Sequence, residues 1–320
     1  MTTKKAALSL LWLAVAAITA TAQNVQMISY GNFDRWVTRK IKESRVLGGN
    51  QKYVFEIGPT QTIEGAKPYR NMGGSPWGTS NVLAKVAGVV KTSNAVFPEE
   101  RGKGYCAKLT TMLEHAKAIG IINIDVLVSG SIFLGTMTEP VSSTKNPYSK
   151  MEMGMPFTKR PKYLQFDYKV TVPGGNPIYC SGFGKRKTLP GQDYAEVFVL
   201  LQRRWEDPDG SLHAARVGTG RERYGHTVAS WKNGHRIPIM YGDITGRPEY
   251  KSYMDLINTK DRAYYARNSK GKMVPVIEEK WDEPDATPTH VVLMASSGCG
   301  TAYTGTVGMT LWVDNFAFVF

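Results

Sequence analysis

Cysteine is scarce: Cys106, Cys180 and Cys299 are the three in 320 residues. Three thiols allow at most one intrachain disulfide, and a chain of this length does not depend on one for stability. No two lie close enough in sequence for a zinc pattern. The five histidines, at 115, 213, 226, 235 and 290, form no HExxH and no close pair, so a catalytic zinc centre is not indicated. His226 and His235 sit in a basic stretch with Tyr224 and Trp231 and read as surface or packing residues. No serine has a GxSxG setting. Gly182-Phe183-Gly184 and Gly218-Thr219-Gly220 join no strand to a helix, as a phosphate cradle requires, and read as turns. No apolar run approaches the roughly 20 residues needed to cross a bilayer as a helix, and no transmembrane segment is expected.

The most apolar stretch, residues 6–19, follows Lys4-Lys5 and precedes Ala20-Thr21-Ala22. Charged, apolar and small-residue parts in that order predict a secretory signal peptide, residues 1–22, cleaved after Ala22. A buried N-terminal helix is the alternative. No cysteine lies at the junction, so no lipobox anchor is expected. The protein is therefore expected to be exported, whether periplasmic, surface-bound or secreted. The remaining 298 residues, 23–320, suit one large β domain or two small ones. The formal net charge of +13 falls to +11 without Lys4 and Lys5. Inside a cell such a charge suggests nucleic acid. On an exported protein it points instead to anionic glycans or an anionic surface, or simply to solubility.

Alternation with a period of two recurs along the chain. Leu164, Phe166, Tyr168, Val170 and Val172 are apolar, with Gln165, Asp167, Lys169 and Thr171 between them, before Pro173-Gly174-Gly175-Asn176 stops the run. That is a half-buried strand. Residues 105–110 and 122–128 repeat the pattern, and 82–90, 194–201 and 290–295 predict further strands. Only 247–257 has a modest helical periodicity. Residues 136–161 and 218–285 read as long loops or excursions. With little helix, no internal repeat and no linker, the chain is expected to form one antiparallel β-sandwich of jelly-roll type. The last strand, from Thr310, carries Asp314 among Trp312, Phe316 and Phe318. Strict alternation puts all four on one face, where the acid needs a hydrogen-bond network or a cation.

Seven segments carry a family resemblance. They are Asn32-Phe33-Asp34-Arg35-Trp36, the PWGTSN of residues 76–81, the KLTT of 108–111, the GSIFLG of 130–135, the GMPFTKRP of 154–161, the LQFDYK of 164–169, and Ser296-Ser297-Gly298 with the closing strand. In this order, from Asn32 to the C-terminus, they resemble the putative carbohydrate metabolism domain, a family of exported bacterial proteins. The resemblance implies a galactose-binding-like β-jelly-roll and a glycan-related role. Some relatives carry an N-terminal immunoglobulin-like domain; too few residues precede Asn32 for one, so a single-domain version is expected. Asp167-Tyr168-Lys169 stands where relatives favour Tyr-Lys-Tyr. In galactose-binding-like folds the first and last strands often share a structural calcium. Asp34 and Asp314 resemble its two acidic ligands, with pairing to backbone amides or an arginine as the alternative; calcium needs further oxygen ligands in any case.

Glycosidic cleavage needs two acids flanking one cleft, one with a raised pKa. Glu139, Glu152, Asp167, Glu196, Glu206 and Asp243 are the candidates, and no spacing joins any two of them. Glu196, in phase with Tyr194 and Phe198, stands out; a paired structural acid is its plainer reading. No catalytic residue is assigned. Sugar binding asks only for aromatic walls and a few planar polar groups. Residues 69–81 supply Tyr69, Arg70, Trp77 and Asn81 in a turn-rich loop, where Trp77 as a buried anchor and Asn81 as a cap are the alternatives. Arg204, beside Arg203 and Trp205, adds a cationic rim suited to uronic or sulfated sugars. The function expected is a non-catalytic, exported glycan-binding domain. A glycoside hydrolase or lyase with carboxylates from distant strands, and a structural cell-envelope component, are the alternatives.

Overall fold

The computed structural model describes residues 24–86, 88–118, 122–143, 145–182 and 186–320. The expected signal peptide lies outside them, as do Phe183 and Gly184. The fold is all-β. Among the described residues the helical elements are three short 3-10 turns, Arg45–Leu47, Pro147–Lys150 and Ser252–Met254. The last of these is what forms within the helical periodicity of 247–257.

Two large sheets pack face to face. In the eight-stranded sheet the closing strand Thr310–Val319 lies between Gly104–Ala118 and Tyr163–Thr171, and Val228–Pro238 forms one edge. The ten-stranded sheet centres on Ala195–Glu206, between Leu212–Tyr224 and His290–Ser296. Leu164, Phe166, Leu311, Val313 and Phe316 from the first sheet meet Val197, Val199, Val217, Leu293 and Ile132 from the second in one core. Leu164, Phe166 and Val170 are buried as their alternation predicts.

The ten-stranded sheet is more than a flat layer. Ser131–Met137 pairs with both Met151–Met153 and His290–Ser296, which closes seven strands into a barrel. Leu212–Tyr224 runs parallel to Met273–Trp281, and Met151–Met153 is parallel to Tyr264–Arg267. The sheets are thus mostly rather than wholly antiparallel. Phe133, Met151, Phe198, Leu200 and Val292 form a second cluster, and the residues alternating with Phe133, Phe198, Leu200 and Val292 face the main core. Val228–Pro238, Tyr264–Arg267 and Met273–Trp281 lie in the region 218–285 expected to be loops, and the second half of Leu212–Tyr224 extends into it. Gly218 and Gly220 sit within a strand rather than a turn, and a Cβ at either would press on Ile239, Leu201 or Val199. Glycine there permits close packing.

The closing strand departs from simple alternation. Asn315 has a left-handed backbone (φ 55°), and the register with Tyr163–Thr171 shifts by one residue opposite it. The extra residue is a β-bulge. It turns Phe316 and Phe318 into the core beside Leu311 and Val313, while Asp314 and Trp312 face outward. The single face expected for all four residues is therefore split in two.

Candidate functional site

Residues 68–71 and 136–139, with Glu152 and Arg267, line a cleft of about 430 Å³. Its back wall is fixed by Arg39, buried in the strand Trp36–Lys42. Arg39 Nη1 donates to Glu56 Oε1 (2.8 Å) and Glu139 Oε1 (3.0 Å), and Nη2 donates to Glu139 Oε2 (2.6 Å) and the Lys67 carbonyl (2.9 Å). Glu139 also accepts the Leu83 and Tyr69 amides at 2.6 and 2.9 Å. One buried arginine thus ties the loop bearing Tyr69 and Arg70 to the loop bearing Glu139. Burial pushes the Glu56 carboxyl up to about 8, against the pull of Arg39 and with the help of the Glu139 charge. Glu56 Oε2 accepts the Thr79 hydroxyl at 2.8 Å.

The cleft rim is polar. Arg267 Nε donates to Glu152 Oε2 (2.8 Å), and its Nη1 donates to the Gly271 carbonyl (3.0 Å). Asn71 Nδ2 donates to the Gly135 carbonyl at 2.9 Å. Arg70 is exposed and has no ionic partner among the described residues. The Tyr69 side chain is buried. Burial and the Glu56 charge raise its pKa, so it remains a donor at neutral pH. The backbone at Tyr69 and Arg70 is thus fixed while the Arg70 head stays free.

The remaining expected site residues go elsewhere. Trp77 is fully buried, 5.3 Å from Phe33 and 5.5 Å from Phe316 between ring centroids, with Nε1 donating to the Ser29 carbonyl. It is a core aromatic and offers no stacking face. Asn81 is also buried; its Nδ2 donates to the Phe55 and Val96 carbonyls, and its Oδ1 accepts the Ala95 and Val96 amides. All four of its hydrogen-bonding positions serve backbone. Arg204 makes no rim. Its Nε donates to Gln202 and its Nη1 to the Met153 carbonyl, while Nη2 is buried with no hydrogen-bond partner among the described residues and packs on Gly154. Burial lowers its pKa to about 10.

Asp34 and Asp314 flank one hairpin turn but face different partners. Asp34 accepts the Asn32 side chain (2.6 Å) and the Tyr105 amide (3.1 Å). Asp314 is paired with Arg101, which also holds Asp167 at 2.9 Å. Burial raises the Asp314 carboxyl to about 6, with Arg101 opposing and Asp167 assisting. A cation at Asp314 would meet the guanidinium of Arg101, and among the described residues no three acidic, histidine or cysteine side chains cluster as metal ligands. The donors do not fit a shared calcium. All three cysteines are free thiols.

Of the six candidate acids, Glu139 and Glu152 share the cleft. Glu196 is clamped by Arg221 (2.8 and 2.9 Å) and Arg223 (2.7 Å). Residues 69–71 fall within the loop that the sequence marks by composition, whereas nothing in the surroundings of Arg39 or Arg267 in sequence signals their place.

Fold and cleft define an all-β domain with a polar recess of small-ligand size. The chain belongs to the putative carbohydrate metabolism domain family, whose model matches residues 61–319, and it is a carbohydrate-associated domain. No curated protein matches it. Two solved structures are distantly similar. One, described as a putative glycoside hydrolase from Bacteroides thetaiotaomicron VPI-5482, is 18% identical over 88% of this chain and 70% of that one, with a TM-score of 0.46. The other, a putative glycoside hydrolase from Bacteroides vulgatus ATCC 8482, is 13% identical over 92% and 94%, with a TM-score of 0.44. Likeness at that level carries no activity across. Among the described residues no helix is long and apolar enough to cross a membrane.

Proposed function

We propose that this protein is an exported, non-catalytic domain, a single jelly roll of galactose-binding-like type over residues 23–320, that binds an acidic glycan in the Tyr69–Arg70 cleft. The observation carrying the reading is Arg70, an exposed guanidinium with no ionic partner among the described residues, at the mouth of a recess whose other charges are paired. A planar fork of donors suits the carboxylate of a uronic acid or a sulfate. Asn71 and Thr138 supply polar groups for hydroxyls, and Pro68 and Met137 give a short apolar wall. Secretion would bring such a domain to extracellular or envelope polysaccharides.

Absence of hydrolysis is proposed from the state of the acids. A glycosidase needs one carboxyl able to give a proton and another able to attack or to activate water. Glu139 accepts four hydrogen bonds, two of them from Arg39, and Glu152 is paired with Arg267. Glu56 has the raised pKa of a general acid, but it is 3% exposed and held by Arg39 and Thr79 behind the wall. The hydrolase reading has one observation in its favour, the shared cleft of Glu139 and Glu152. Incubation with a polysaccharide panel separates the two. Binding without release of reducing ends is expected, and release lost in Glu152→Gln would reverse the assignment.

A further inference from the structure

The outer face of the eight-stranded sheet carries a row of side chains, one per strand, that the cleft does not use. Across five neighbouring strands it reads Phe97, Lys108, Trp312, Lys169 and Trp231. Register pairs Phe97 with Lys108, Lys108 with Trp312, and Trp312 with Lys169. Trp231 completes the row from the strand Val228–Pro238. Aromatic rings thus alternate with lysines, and successive rings are two strand spacings apart, about 10 Å. Both tryptophans are half-buried, so each keeps an exposed part.

Lys169 Nζ lies 4.4 Å from the Trp312 ring centre and 5.5 Å from that of Trp231, between the two. Lys108 Nζ is 5.6 Å from Trp312 on its other side. Arg101 stacks on Trp231 at 3.8 Å and donates to Asn233 Oδ1. Trp312 Nε1 donates to Glu99 Oε1 at 2.6 Å, which fixes the indole plane. The charges in contact cancel. Glu99 faces Lys108 (2.8 Å) and Lys169 (3.8 Å), while Arg101 faces Asp167 and Asp314.

We propose that this row binds a second ligand, a neutral glycan chain lying across the strands with alternate sugar rings on Trp312 and Trp231. Three features select that occupant. The ring spacing is comparable to that between alternate residues of an extended β-linked chain. The C–H faces of such sugars pack on indole, while lysine, glutamate and asparagine between the rings meet the hydroxyls. Three cations against three carboxylates leave no net field to draw an acidic chain, in contrast to the free Arg70 in the cleft. The core of a protein interface is depleted of lysine and carboxylates, whereas this row carries Lys108, Lys169 and Glu99 between its rings. Lys169, 26% exposed at its side chain, is the group that moves aside as a ring settles.

Isothermal titration of the purified protein with hexasaccharides of β-linked glucose, xylose and mannose, and separately with a uronic-acid hexasaccharide, tests this. At least one neutral hexasaccharide should bind with an affinity unchanged up to roughly 0.5 M salt, since no net charge is involved. Trp231→Ala, on the edge strand, should weaken that binding about tenfold or more with an unaltered circular dichroism spectrum. Trp312→Phe, which keeps a ring but loses the Glu99 bond, should weaken it less. No binding of any neutral hexasaccharide, or equal affinity in Trp231→Ala, overturns the proposal. So does binding of the uronic chain alone, which would leave the cleft reading standing by itself.

Discussion

Asn315 donates its side-chain amide to Asp167 Oδ2 at 2.9 Å from a left-handed backbone position. Asp167 Oδ1 in turn accepts the Gly234 amide at 2.6 Å, so one carboxylate pins a bulge and the neighbouring edge strand together. The bulge sets which residues of the closing strand reach the core. Phe316, stacked on Phe166 at 4.9 Å and in contact with Phe33 and Trp77, is there because of it.

Substitution at the bulge should separate backbone strain from the hydrogen bond. Asn315→Val places a β-branched residue at positive φ, where the left-handed conformation costs about 1–2 kcal/mol, and it loses the bond to Asp167 as well. Asn315→Gly relieves the strain and loses only the bond. Chemical denaturation should rank the stabilities wild type, then Asn315→Gly, then Asn315→Val. Equal stability of all three would mean the bulge does not depend on this residue.

Trp77 is a packing residue. Trp77→Ala should cost about 3–5 kcal/mol, the range for a deleted core aromatic. A variant with near wild-type stability and lost glycan binding would instead return Trp77 to a ligand site.

His290 gives a dependence on pH. Burial, helped by the Arg204 charge, lowers its pKa to about 4. A histidine neutral in the fold and charged when unfolded contributes stability that is present above its ordinary pKa of 6.5 and lost as pH falls through 4. Melting temperature should therefore decline from pH 6.5 to 4. In His290→Gln that decline should be shallower; an unchanged slope would assign it to other groups.

Calcium should have no effect. Asp314 is neutralised by Arg101, and Asp34 is bonded to Asn32 and Tyr105. Melting curves in millimolar calcium and in chelator should superimpose. A rise with calcium that vanishes in Asp34→Asn would require rearrangement of both carboxylates around a metal.

The legible parts of the chain are those where one face is wet and the other dry. Leu164 to Val170 announce themselves because water on one side and core on the other impose a period of two. Val228–Pro238 does not, since most of its side chains are exposed and it buries little beyond Ile237. Gly218 and Gly220 mimic a turn because glycine marks close packing as well as reversal. A bulge is invisible to period-two reading, so Phe316 and Asp314 fall on one face on paper and on opposite faces in the fold. For the cleft, the composition of residues 69–81 points to Tyr69 and Arg70. Glu152 and Arg267 come from strands more than a hundred residues apart and are joined by a barrel closure that no local pattern encodes.

The central claim is that a free arginine at the cleft recognises an acidic sugar without cleaving it. Titration calorimetry of the wild type and Arg70→Ala with one uronic-acid oligosaccharide tests it most directly. Loss of a charge-assisted hydrogen bond, worth about 1.5–3 kcal/mol, should weaken binding by roughly tenfold to a hundredfold. The wild-type affinity should also fall as salt is raised. Equal affinity in the two proteins, or no binding by the wild type, would contradict the account.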